Sequence, residues 1–223
     1  PLQMILSLIV SVFLVSHRHM LIGKIANSVI FIPVLCSNAA TGVIWRELLN
    51  GKIPAVETFF GLFGIKASML LGNAKTALAV VAAVAIWKML GYYVVIYSSG
   101  LLGISESFYE AAKVDGANAF QTFTKITLPY MLYVTTPYLI VTFTGNVNNF
   151  NVIYLLSGGD PVTNLSSTAG KTDLLVTWLY KLTIDKQYYN IGAVIGIMTF
   201  IILAIGCLLT YRNSKSYKEE GGF

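Results

Sequence analysis

The chain has 223 residues, 56% of them hydrophobic and 11% charged, with a mean hydropathy of +0.70. Soluble domains carry about 25% charged residues, so the composition excludes a water-soluble globular protein and leaves a polytopic membrane protein. The net charge of +5 is spread without a dense basic tract, which excludes a nucleic-acid face; the cations of 212–218 read as a juxtamembrane anchor.

Five membrane segments follow in chain order: 2–15, 26–45, 77–97, 128–156 and 191–211. Each is measured against the roughly 20 apolar residues that cross about 30 Å of hydrocarbon. The first is short for a span. It opens the chain without Met or a charged n-region, so it does not read as a signal peptide. The expected architecture is an all-α transmembrane bundle in one domain, residues 1–223, that lacks part of its natural N-terminus. Pro33, Pro137 and Gly145 interrupt the second and fourth segments. Such breakers are tolerated where the freed backbone is buried in protein or lines a wet cavity. Cys36 and Cys207 lie in separate apolar runs and imply no disulfide. Lys88, inside the third segment, is expected to face a cavity or a partner acid.

The loops 46–76 and 157–190 are long and hold amphipathic pieces. Between 172 and 182, for instance, Leu174, Leu175, Trp178, Leu179 and Leu182 share one helical face. Placing the loop 17–24, the loop 98–127 and the C-terminal tail on one side leaves seven Lys or Arg on each side. Charge counting slightly favours that side as cytoplasmic, because its cations lie nearer the helix ends.

The loop 98–127 carries Glu110-Ala111-Ala112-Lys113-Val114-Asp115-Gly116 and, nine residues later, Ile126-Thr127-Leu128-Pro129. It reads as a short small-faced helix, a glycine turn at Gly116, and a second helix. Thr127 is expected to cap that second helix, with Pro129 in its first turn. This pattern resembles the EAA motif of binding-protein-dependent permeases of the ATP-binding cassette class. All seven fixed positions match: Glu110, Ala111, Ala112, Gly116, Ile126, Leu128 and Pro129. Residues 87–93, 146–160 ("NVNNFNVIYLLSGGD") and 170–175 ("GKTDLL") are similar to the maltose and maltodextrin permeases of that class.

The resemblance implies a cytoplasmic-membrane, multi-pass subunit of a bacterial importer for an oligosaccharide such as maltodextrin. Glu110, Ala111, Ala112, Asp115 and Gly116 would form a cytoplasmic coupling helix seated in an ATPase subunit. ATP and Mg would be held by that ATPase, with no cofactor or metal on this chain. The other partners would be a second, different permease subunit, an extracytoplasmic sugar-binding protein and membrane lipid.

Thr142, Asn146 and Asn149 are spaced by four and three residues, so on a continuous helix they form one polar stripe. Such residues serve as glue between membrane helices or as partners for sugar hydroxyls. Tyr92 and Tyr93, beside Gly91, offer an aromatic platform for a pyranose ring. By resemblance, Tyr93, Thr142, Asn146 and Asn149 match sugar-contacting positions, although the family commonly has Pro at 92 and Ser at 142.

Other signals are weaker. Ala169-Gly170-Lys171-Thr172 mimics the end of a phosphate-binding loop, but Leu165 stands where that loop needs glycine. Asn164-Leu165-Ser166 fits a glycosylation acceptor to which a bacterial importer gives no role. No nucleophile–base pair or paired carboxylates are visible, so the chain reads as a transport subunit and not an enzyme. The rival reading is a secondary transporter with a midplane site, which would need internal repeats and membrane carboxylates. None of the five segments contains Asp or Glu.

Overall fold

The computed structural model describes residues 2–163 and 168–213, and among these every regular element is helical. The acceptor-like triplet at 164–166 and the basic tail beyond 213 lie outside the described residues. Helix α1 (Leu2–Ser16) is followed by α2 (Leu21–Leu35) and α3 (Asn38–Leu48). The helices Gly23–Leu35 and Asn38–Leu48 meet at 97°, so the run 26–45 is broken rather than continuous. Two residues account for the break. Pro33 lies inside α2 and offers no N–H to its ladder. Ser37, in extended geometry, caps α3 through its side chain.

A break at membrane depth leaves carbonyls to be satisfied. Lys88 supplies one donor: its Nζ lies 2.7 Å from the Cys36 carbonyl oxygen, and the residue is only 3% exposed. The intramembrane cation therefore serves a backbone carbonyl at the break, where the sequence suggested a cavity or a partner acid.

Beyond α3 come α4 (Pro54–Gly61), α5 (Ala67–Leu70) and the long α6 (Ala74–Leu102), then α7 (Glu106–Val114) and α8 (Ala119–Thr122). A π turn at Phe123–Thr127 leads into α9 (Leu128–Val147), followed by α10 (Asn151–Ser157) and α11 (Leu175–Tyr180). A second π turn, Lys181–Asp185, precedes α12 (Tyr189–Asn213). Three described stretches are long and apolar enough to cross a bilayer: Ala74–Leu102, Ala119–Ser157 and Tyr189–Arg212; the bent pair would make a fourth.

The chain forms two compact units. Of the described residues, one comprises 2–34, 89–143 and 205–213; the other comprises 35–88, 144–163 and 168–204. In the first, Leu8, Val12 and Val15 of α1 pack on Tyr93, Tyr97, Leu101 and Met131. Ser7 and Ser11 are fully buried, and the Ser11 hydroxyl lies within hydrogen-bonding distance of the Ser7 and Val94 carbonyls. Small hydroxyl residues let two helix backbones come close while satisfying their own polar atoms. Gly91 does the same against α2: a Cβ there would overlap the Ile30 carbonyl and come 2.8 Å from the Phe31 Cα.

In the second unit, Val81 and Val84 of α6 pack with Val152, Ile153 and Leu156 of α10. Gly42 of α3 lies directly under α10, where a Cβ would come 2.8 Å from the Leu155 Cβ. The leucine-rich face at 172–182 is seated on this unit, with Leu174 against that core and Leu182 only 3% exposed.

Candidate functional site

The loop with the seven-position motif folds into an elbow capped on both sides of its turn. Ser105 caps α7, and Gly116, at φ +72°, ends it. The Gly116 N–H donates to the Lys113 carbonyl at 3.1 Å and the Ala117 N–H to the Ala112 carbonyl at 2.9 Å. This bond pair is the Schellman closure, which favours glycine at the left-handed position. A reciprocal cap follows at once: the Gln121 N–H donates to Asn118 Oδ1 and the Asn118 N–H to Gln121 Oε1, each at 2.9 Å.

The second helix thus starts at Ala119 with Asn118 as its cap, not at Thr127 as the sequence suggested. Thr127 lies in the π turn, 3.2 Å from the Tyr109 hydroxyl of α7. The physical reason is Pro129, whose ring would strike the carbonyl four residues back in a regular helix. The wider π turn directly before it relieves that contact, so the helix continues instead of beginning there.

The five coupling residues divide by exposure. Glu110, Ala111, Asp115 and Gly116 are exposed, whereas Ala112 is buried and holds α7 to its own unit. Sequence reasoning overlooked the apolar side chains beside them: Phe108, Val114 (88% exposed) and Phe120 (74%). Their signal was available as apolar residues in a charged loop outside any membrane segment. Behind the elbow is a cavity of about 710 Å³, lined by Val12, Val15, Leu101, Tyr109 and Lys113 among others. Arg18 lies 3.8 Å from Glu106, which puts the turn after α1 beside the start of α7, as the same-side arrangement expected.

Gly91, Tyr92, Tyr93 and Thr142 belong to the first unit, Asn146 and Asn149 to the second. Tyr93 and Thr142 come together: both are buried, the Tyr93 hydroxyl bonds the Thr142 side chain, and Thr142 Oγ1 donates to the Tyr138 carbonyl at 2.6 Å. Tyr92 is 40% exposed and meets the Tyr93 ring edge-on at 5.3 Å. Asn146 is exposed near the end of α9, but Asn149 falls past that end, its N–H bonded to the Asn146 carbonyl at 3.4 Å. The polar stripe therefore holds for Thr142 and Asn146 along the helix and is interrupted before Asn149.

Two further groups in the second unit were not legible as a set. Phe150, Tyr154 and Tyr180 form a half-buried aromatic cluster with ring centroids 4.9–5.0 Å apart. Asp173 receives the Gly170 N–H at 2.7 Å and the Thr177 hydroxyl and Lys181 Nζ at 2.9 Å each. The runs "SGGD" and "GKTD" meet here, with the Thr172 N–H on the Gly159 carbonyl and the Thr172 hydroxyl on the Asp160 carbonyl. Gly170 is required by contact, since a Cβ on it would overlap the Gly159 carbonyl.

The chain as a whole matches a known family model. Residues 1–214 match the family described as binding-protein-dependent transport system inner membrane component. The chain belongs to that family. It is a multi-pass, all-α membrane protein of the permease type. A galactooligosaccharides transport system permease of Bacillus subtilis is 32% identical over 98% of this chain and 52% of its own length. A maltodextrin transport system permease of the same organism is 38% identical over 66% of this chain and 33% of its own. One from Streptococcus pneumoniae, also a maltodextrin transport system permease, is 32% identical over 96% and 52% respectively. This family member spans about half the length of the galactooligosaccharides permease and of the Streptococcus pneumoniae permease. In fold it matches a chain of a bacterial alginate transporter, solved with a periplasmic protein carrying an alginate pentasaccharide. The TM-score is 0.76 at 20% identity, covering 96% of this chain and 71% of that one.

Proposed function

We propose that the chain is the membrane permease part of an ATP-driven importer for an oligosaccharide, with maltodextrin as the leading substrate. The single observation that carries this reading is the exposed motif helix fixed to a spanning helix by its Schellman closure, the Asn118 cap and the Tyr109–Thr127 contact. Force applied to α7 passes to α9 with little give. Glu110, Ala111, Asp115 and Gly116, with Phe108 and Val114, form the face offered to an ATPase subunit; Ala112 keeps the helix seated. Closure of that ATPase on ATP moves α7 and the spanning helix behind it. Family membership supports this reading over an ion-coupled carrier. A second permease subunit and an external sugar-binding protein complete the proposed assembly.

The sugar is proposed to meet Tyr92, Tyr93, Asn146 and Asn149, with Thr142 acting through its bond to Tyr93 and Gly91 through the close approach of α2. Relatives named for galactooligosaccharides and arabinooligosaccharides make the choice of glycan the first thing to measure. In cells carrying the whole transporter, labelled maltodextrin, galacto-oligosaccharide and arabino-oligosaccharide are tested for ATP-dependent uptake. Maltodextrin uptake is expected, lost in Asn146→Leu and in Glu110→Lys, with Glu110→Lys also releasing the ATPase on purification. An assembled, ATP-hydrolysing complex that takes up none of the three would overturn the reading.

A further inference from the structure

The hairpin between α3 and α6 is built inside out for water. Glu57 of α4 turns inward: its carboxylate accepts the Ser68 N–H at 2.9 Å and the Ala67 N–H at 3.1 Å. The Ser68 bond chiefly holds its carboxyl below the ordinary carboxylate value, so the group is charged where it caps α5. Gly51, at φ +78°, brings the chain close beneath, leaving 2.8 Å from a Cβ there to the Ser68 Cβ. Glu57 thus ties α4 to the start of α5.

Its outside is apolar. Phe59, Leu62 and Phe63 are 57%, 78% and 67% exposed, and Ile65 and Met69 are exposed beside them. No residue of α4 is buried. Phe59 lies on α4 with Glu57 and Gly61 on the opposite side; Leu62 and Phe63 are in the turn that follows, where the Phe63 ring lies 5.6 Å from that of Phe59. A contiguous apolar patch of this kind marks a membrane or a protein contact.

Position and charge favour lipid. The hairpin leads within a few residues into α6 at Ala74, at the end of that helix opposite α7. The 29 residues of α6 extend about 43 Å, more than the roughly 30 Å of hydrocarbon. Exposed Lys75 in its first turn marks the Ala74 end as one that reaches headgroup level, and the hairpin joins the helix there. Lys52 and Lys66 flank the apolar side chains, as cations do that reach up to phosphate groups, and Phe and Leu beside Lys is the composition of segments that lie in the interface.

We propose that the α4–α5 hairpin lies in the bilayer interface, with Phe59, Leu62 and Phe63 inserted among the lipid acyl chains. It anchors the loop that joins α3 to α6. The test uses the complete transporter in lipid nanodiscs, with Cys36→Ser and Cys207→Ser as background. Nitroxide labels are placed singly at Phe63→Cys, Leu62→Cys and Gly61→Cys, and collision with oxygen is compared with collision with a water-soluble nickel chelate. The expected result is oxygen preference at 62 and 63 and chelate preference at 61. Chelate preference at 62 and 63 puts the hairpin in water and overturns the proposal. Protection from both reagents there assigns the face to a protein partner and overturns it equally. Reading two neighbouring labels guards against one substitution that disturbs the hairpin.

Discussion

At the scale of single residues, several buried polar groups of this apolar chain are tied to backbone. Lys88 lies against the Cys36 carbonyl, Ser11 contacts the Val94 carbonyl, and Thr142 bonds the Tyr138 carbonyl. Asp173 goes further and gathers three donors, one of them the ammonium of Lys181, with side-chain exposures of 3% and 15% for the pair. Breaking such a buried pair from one side leaves the other charge uncompensated, at a cost of about 3–5 kcal/mol. Lys181→Met is therefore expected to lower the thermal midpoint of the purified protein sharply. The double replacement Lys181→Met with Asp173→Asn should recover much of the loss. Equal destabilisation in the single and double variants would contradict this account. Gly91 shows a different use of a residue: proposed at the sugar path, it is also the point where α2 and α6 approach closely.

At the scale of elements, the breaks are as specific as the helices. Pro33 and Ser37 turn α2 into α3, and Pro129 is accommodated by a π turn so that the helix continues from the elbow into α9. Gly116 is the joint that fixes the elbow's angle. A side chain at its φ of +72° costs about 1–2 kcal/mol. Gly116→Val is expected to raise amide exchange across 105–122 and to uncouple ATP hydrolysis from uptake while the spanning helices stay protected. Unchanged exchange in that window would show that the closure does not set the elbow. Glu110 and Gly116 were legible because motif spacing is local. The start of the following helix was not, because Thr127 and Asn118 are both plausible caps until the Gln121 reciprocal bonds and the Tyr109 contact choose between them.

At the scale of the molecule, the spans impose a sidedness. The Arg18–Glu106 contact brings the turn after α1 next to the elbow, while the α4–α5 hairpin is at the other end of α6. In sealed cells, Arg18→Cys and Ala111→Cys are expected to resist a membrane-impermeant maleimide, and Lys66→Cys to react. Labelling of Ala111→Cys from outside would reverse the orientation and remove the elbow from any cytoplasmic ATPase.

By itself, the sequence determined the all-α membrane class and the short helix that ends in the Gly116 turn. Each of these is written in local composition or fixed spacing, which hydrocarbon thickness and helix period translate directly into structure. Only the tertiary structure decided the 97° break after α2, the acceptor for Lys88, the Asp173–Lys181 pair and the inverted hairpin. These depend on residues distant in sequence or on which face of a short helix is covered. A desolvated polar atom must find a partner wherever the packed chain supplies one, and linear spacing does not reveal that partner.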